Sequence, residues 1–150
     1  MKSGLNKDVL GIIFSFLRLE ELIAINNLGD IHINNAMENY SFDFFKQQIP
    51  RSITLTQFRN MFPLATGIKI SFRHDINDDE FIANILPRYN NKSKRDRILR
   101  IDISGCIKLS YLALAPLSGL IHTIDMSFCP NLEKNYELVF FYLSGVRNFM

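Results

Sequence analysis

The chain has 150 residues, and its 17 Lys and Arg against 15 Asp and Glu leave a net charge of +2. This near balance gives no reason to expect nucleic acid or an anionic membrane as a partner. No apolar run approaches the roughly 18 residues that a membrane span requires, and the first residues lack the apolar stretch of a signal peptide. Hydrophobic residues make up 47%, which indicates a globular core. Two Cys do not form a disulfide framework, so we expect a reducing compartment, the cytoplasm or the nucleus.

Residues 1–48 contain no Pro and are predicted to be helical. Asn6 is a candidate N-cap for a first helix, because apolar residues follow it at spacings of three and four over 9–17. A second predicted helix covers 20–28 and is ended by a Gly, and a third covers 31–45. These elements predict a helical module at the start of the chain.

The next part of the chain, 49–97, has a less regular pattern. Short strands are predicted at 53–55 and 68–72. The acidic run 77–80 is typical of a helix start, and the apolar face of that helix would consist of Phe81, Ile82, Ile85 and Leu86. The basic run 92–97 is compatible with nucleic-acid binding or nuclear import, but a solvated loop is the simpler interpretation.

The clearest pattern is a repeat with an offset of 23 residues, which aligns 98–109 with 121–132. Apolar residues match at four positions, and Asp, Ser and Cys are identical at 102/125, 104/127 and 106/129. This pattern predicts two short parallel strands, a further strand at 146–149 and return segments at 111–120 and 133–143. The strand at 68–72 fits the repeat poorly because it lies too far from the next one. We expect the two Cys to be buried structural thiols rather than metal ligands or a disulfide.

The repeated pattern, L-x-x-L-x-L-x-x-C-x-L, resembles the cysteine type of leucine-rich repeat. That resemblance implies an α/β fold in which 49–150 form a short leucine-rich-repeat solenoid with parallel strands. In such a solenoid the Cys that follows each strand fills a buried corner.

The start of the chain resembles an F-box. Residues 5–17, L-N-K-D-V-L-G-I-I-F-S-F-L, follow the usual form L-P-x-E-(V/I)-L-x-x-I-F-S-(Y/F)-L, and Glu21 and Leu22 match the acidic residue and Leu downstream. Asn6 replaces the usual Pro, and 28–32 lack the family's Cys and Trp. An F-box followed by repeats is the order found in F-box/leucine-rich-repeat proteins.

This resemblance implies a non-enzymatic substrate receptor of an SCF-type ubiquitin ligase, which binds a Skp-type adaptor, and through it a cullin scaffold, as well as a protein substrate. No constellation of nucleophile, acid and base emerges from the sequence, and we expect no cofactor and no metal. The implied adaptor contacts are Leu5, Asn6, Leu10, Ile13, Phe14, Leu17 and Leu22. The alternative is that some of these side chains form the core of the module itself.

The two aligned strands would expose alternate side chains on one face. These are the predicted substrate contacts Arg100, Asp102, Thr123 and Asp125. Asp102 and Asp125 would be neighbouring like charges, which Arg100 or a partner bearing Lys or Arg would compensate. A solvated surface is the alternative for this strip. The alternative for the whole chain is a repeat protein for protein–protein interaction whose helical start is only a cap on the solenoid.

Overall fold

The computed structural model describes residues 6–85, 98, 100–117, 119–135, 137, 139, 143 and 148–149. Over these residues the fold is mixed α/β. Its elements in chain order are α1 (Lys7–Ser15), α2 (Leu19–Asn27), α3 (Ile31–Glu38), β1 (Asp43–Gln48), α4 (Leu55–Met61), β2 (Gly67–Lys69), α5 (Asp78–Ile85), β3 (Arg100–Asp102), α6 (Tyr111–Leu114), a 3₁₀ helix (Ala115–Leu117), β4 (Thr123–Asp125), α7 (Pro130–Glu133) and β5 (Asn148–Phe149). The predicted contact Leu5, the basic run 92–97 and most of the return segment 133–143 lie outside the described residues.

The first two helices begin and end where the sequence predicts. The Asn6 side chain caps α1 by accepting a hydrogen bond from the backbone N–H of Val9 at 2.8 Å. The α2 helix ends at Leu28, and Gly29 follows with φ +80°. A left-handed residue after the last helical turn favours Gly, because a Cβ is strained there.

The third helix is shorter than predicted. It ends at Glu38 rather than continuing to residue 45, and β1 occupies 43–48. Phe42 and Phe44 are buried while Asp43 between them is exposed, which is the two-residue period of a strand. The prediction that 1–48 are all helical is therefore wrong for the last six residues.

The strand predicted at 53–55 is also wrong. Thr54 is the N-cap of α4, and its side chain accepts from the backbone N–H of Gln57 at 3.0 Å. The Gln57 side chain in turn accepts from the N–H of Thr54 at 2.8 Å. This reciprocal capping box starts a helix in a segment whose Ile and Thr favour a strand by propensity alone.

The five strands form one parallel sheet in chain order, β1-β2-β3-β4-β5. Arg100 pairs with Thr123, which confirms the predicted offset of 23 residues, and Ile124 pairs with Phe149, which confirms the strand predicted at 146–149. The predicted misfit of the strand near residue 68 is wrong, because Ile68 pairs with Ile101.

One hydrophobic core runs through the helices and the sheet. At the junction, the Phe42 ring packs against Phe14 at 5.8 Å, Phe44 at 5.1 Å and Phe62 at 5.2 Å between centroids. The core is thus continuous across the predicted module boundary at residue 48. Among the described helices, none has the length and apolar character needed to cross a membrane.

Candidate functional site

Three equivalent four-residue segments, 70–73, 103–106 and 126–129, follow β2, β3 and β4, and we call them the corners. Backbone hydrogen bonds align them. The N–H of Ile70 donates to the Asp102 carbonyl at 2.9 Å, and the N–H of Ile103 donates to the Asp125 carbonyl at 2.8 Å. The sheet ladder therefore continues past the ends of the strands and holds the corners side by side.

The fourth corner position carries Cys106 and Cys129, which are both buried and free. The Cys106 thiol donates to the carbonyl of Ile70 at 3.0 Å, and the Cys129 thiol donates to that of Ile103 at 3.1 Å. Each thiol therefore satisfies a carbonyl of the preceding corner. Burial raises the pKa of Cys106 to about 12 and raises that of Cys129 as well. The prediction of buried structural thiols is confirmed.

Arg73 occupies the same position in the first corner and is 1% exposed. Its guanidinium donates to the carbonyls of Pro50 and Ile53, both at 3.1 Å, and makes two bonds of 2.8 and 2.7 Å to Asp75. These bonds to Arg73 lower the pKa of Asp75 to about 2. Arg73 thus does for the first two corners what a thiol does for the later ones. It also hid this unit from sequence analysis, because no Cys marks it.

The third corner position has a left-handed backbone in all three corners. The φ angles are +56° at Phe72, +69° at Gly105 and +57° at Phe128. The side chain of Phe72 lies where a Cβ on Gly105 would be, and Phe72 and Phe128 are 49% and 72% exposed. Bulky residues avoid this conformation. Sequence analysis missed both Phe residues, because only Gly105 signals a positive φ.

The four predicted substrate residues do not form the exposed strip that alternation suggested. Asp102 and Thr123 are buried at 7% and 6% exposure. Arg100 bonds to Asp43 at 2.5 Å and stands over the Phe45 ring at 4.5 Å. It therefore does not compensate the carboxylates of the adjacent strands. The prediction of an exposed strip is wrong for Asp102 and Thr123, because the corners fold over the ends of these short strands.

The two strand-end carboxylates are held by their own corners. Asp102 accepts from the N–H and hydroxyl of Ser104 at 3.0 and 2.6 Å. Asp125 accepts from the N–H and hydroxyl of Ser127 at 3.1 and 2.9 Å. Lys69 lies 3.8 Å from Asp102 and partly neutralises it. This repeated use explains the Asp and Ser identities seen in the sequence.

An open groove of about 480 Å³ runs across this edge of the sheet. Its walls combine the exposed aromatic ring of one corner with charged groups from four neighbouring strands and corners. The lining residues on which the later argument depends are Arg51, Lys69, Phe72, Asp102 and Asp125. We call this the rim groove.

A second candidate surface lies on α1. Of the predicted adaptor contacts, Leu10, Phe14 and Leu22 are in the core, at 7%, 3% and 0% exposure. Ile13 is 40% exposed, Leu17 is half-buried, and Asn6 is exposed and caps the helix. The structure thus brings only part of the predicted set to the surface.

The most exposed apolar residues of this surface were missed by the sequence analysis. Phe16 is 82% exposed, Ile12 62% and Val9 39%. Together with Ile13 they form the surface that we call the α1 face. The apolar period shows that the helix is amphipathic, but it does not show which apolar residues turn inward when apolar residues occur on both sides.

No protein-family model and no curated protein matches this chain. Within the described residues, no group of three His, Cys, Asp or Glu side chains is arranged to hold a metal ion.

Proposed function

We propose that this protein is the substrate receptor of an SCF-type ubiquitin ligase, in which the α1 face binds a Skp-type adaptor and the sheet region holds a protein substrate. The adaptor would connect the receptor to a cullin scaffold. The receptor itself performs no chemistry in this proposal. It raises the effective concentration of substrate beside the ubiquitin-charged enzyme.

The observation that carries the proposal is the apolar α1 face. Phe16 and Ile12 are 82% and 62% exposed, while Leu10 and Phe14 on the same helix are buried. A helix that needed only to pack on its own domain would present polar residues to water on its outer side. Burying a Phe or Ile side chain contributes roughly 1.5–3 kcal/mol, so the α1 face offers a partner a useful binding free energy.

A leucine-rich-repeat solenoid is the finer fold that we propose for residues 49–150. Parallel strands in chain order, a ladder that continues through the corners, and a thiol that caps the preceding corner all support it. Each unit contacts mainly its neighbours, as expected for a repeat array.

An interaction module with a helical cap is the second candidate. The backbone N–H of Leu19 donates to the Gln47 side chain at 2.8 Å, and Phe14 packs on Phe42. The first helices therefore cover the β1 side of the sheet, which is the task of a cap. A cap explains the buried side of α1 but gives no reason for the exposed Phe16.

Co-purification with a Skp-type adaptor and a cullin separates the two candidates. The informative variant is Ile12→Asp with Phe16→Asp, because both side chains are exposed and the fold should tolerate charge there. Leu112→Asp is the matched control, since Leu112 is 57% exposed on α6, away from the α1 face.

The proposal expects adaptor capture by the unmodified protein and by Leu112→Asp, and loss of capture by the double variant. If the unmodified protein fails to bind the adaptor, or if the double variant binds it equally well, the receptor proposal is wrong. The cap interpretation is then the better one.

A further inference from the structure

We propose that the rim groove binds a segment of a protein partner through one Arg or Lys side chain, which pairs with Asp125 and packs against the exposed rings of Phe72 and Phe128. This proposal deepens the proposed function, because it names the chemistry of the substrate segment. The predicted strip of Arg100, Asp102, Thr123 and Asp125 is thereby reduced to its one accessible carboxylate.

The charge of the groove selects a cation at the Asp125 end. Asp102 already has Lys69 at 3.8 Å, whereas Asp125 has no ion pair among the described residues. Both hydrogen bonds to Asp125 come from Ser127 and end on Oδ1. The second oxygen is left to accept from a guanidinium or ammonium group.

The aromatic rings give that cation an apolar surface. Phe72 lines the groove together with Asp125 and is 49% exposed. Phe128 belongs to the next corner but one, three residues after Asp125, and is 72% exposed. A guanidinium stacks on such a ring, and the methylene stem of Arg or Lys packs beside it.

The backbone gives a reason to regard these rings as more than packing. Gly105 shows that the third corner position accepts the residue without strain, yet Phe72 and Phe128 hold φ angles of +56° and +57° there. Strained residues with exposed side chains are a recognised sign of a functional surface. Here the strain accompanies a free carboxylate and a groove.

The other end of the groove limits the partner to a single cation. Arg51 donates to the Phe72 carbonyl at 3.3 Å and, with Lys69, adds positive charge at that end. A run of basic residues would be repelled there, while an isolated Arg or Lys at the Asp125 end is not. A phosphate backbone is disfavoured by Asp102 and Asp125 in the same groove.

The test selects binders from a display library of random peptides of about 12 residues and measures their affinity by fluorescence anisotropy. We expect the selected peptides to contain Arg or Lys. Asp125→Asn should weaken them about tenfold, because the neutral amide still accepts from Ser127 but no longer pairs with a cation. Phe128→Gly should weaken them about fivefold.

Two controls keep this test separate from that of the receptor proposal. Glu38→Gln removes an exposed carboxylate at the end of α3 and should leave peptide affinity unchanged. Phe16→Asp should abolish adaptor capture without changing peptide affinity, and Asp125→Asn should do the reverse. The groove proposal is overturned if no peptide is selected, if the selected peptides lack a cation, or if Asp125→Asn binds them as well as the unmodified protein. A failure of adaptor capture alone leaves the groove proposal standing.

Discussion

The N-terminal helices and the sheet region treat their side chains in opposite ways. On α1, apolar residues divide between the core and water, so that Phe14 is 3% exposed and Phe16 82%. In the sheet region, Ile68, Ile101 and Ile124 are fully buried, and the polar groups at the strand ends are bonded within the corners.

This difference separates what stabilises the molecule from what remains available for a partner. The sheet region satisfies itself through a repeated set of bonds, and the two exposed Phe residues are its exceptions. The helices leave a continuous apolar surface. The predictions below test this contrast, starting with the junction that joins the two regions.

The largest effect is expected at the aromatic junction. Phe42→Ala removes a ring that contacts Phe14, Phe44 and Phe62 and should lower the free energy of unfolding by about 3–5 kcal/mol. Chemical denaturation measures this change. Phe16→Ala is the control and should change stability by less than about 0.5 kcal/mol. A small effect of Phe42→Ala would mean that the two regions do not depend on a shared core.

The next effect concerns the buried guanidinium of the first corner. Arg73→Met leaves the carbonyls of Pro50 and Ile53 without their donor and should cost about 3 kcal/mol. Arg18→Met, at a side chain that is 74% exposed, should cost little in the same denaturation experiment. Equal midpoints for both variants would contradict the role given to Arg73.

A smaller loss is expected at the thiol of the second corner. Cys106→Ala removes the donor to Ile70 and should cost about 1.5 kcal/mol. Because burial raises the pKa of Cys106 to about 12, alkylation at neutral pH should follow unfolding rather than proceed in the native state. Rapid labelling of the native protein at pH 7 would show that the corner opens without global unfolding.

A gain in stability is expected at Phe128. Phe128→Gly relieves the left-handed strain at φ +57° and should raise the free energy of unfolding by about 0.5–1 kcal/mol, even though it weakens peptide binding. Phe16→Gly is the matched control, because that exposed residue has φ −93° and Gly should destabilise it. If Phe128→Gly loses stability, the ring contributes packing that its 72% exposure does not suggest.

The smallest effect depends on pH. The pKa of Asp75 is about 2 in the fold and 3.8 ordinarily, so its contribution is fully present above about pH 4 and is lost as the pH falls toward 2. The carboxylate is 58% exposed, which limits the effect to less than about 1 kcal/mol. Asp75→Asn should flatten this part of the stability profile, measured by denaturation between pH 7 and pH 3. An unchanged slope would contradict the assignment.

Local signals in the sequence predicted much of the fold. Asn6 and Gly29 mark helix boundaries by capping chemistry, and the Asp, Ser and Cys identities set the register of β3 and β4. These features act over a few residues or recur at a fixed spacing, so that they can be read without knowing what packs against them.

The remaining features depend on tertiary contacts. Residues 43–48 carry only two apolar side chains and become β1 by pairing with β2. The first corner was missed because Arg73 replaces the diagnostic Cys. The division of α1 into buried and exposed faces follows from the position of Phe42, which lies far along the chain. Of the candidate site, Asp125 was predicted, but its aromatic neighbours were not.

The order of the strands has a consequence for how this molecule tolerates change. Gly67 pairs with Arg100, Arg100 with Thr123, and Thr123 with Asn148, spacings of 33, 23 and 25 residues. The strands stay adjacent despite these unequal connections, because no later strand is inserted between earlier ones. Insertions between units therefore leave the pairing intact, and duplication of a whole unit would lengthen the gripping edge without rebuilding the rest. An architecture of this kind is open to modular growth.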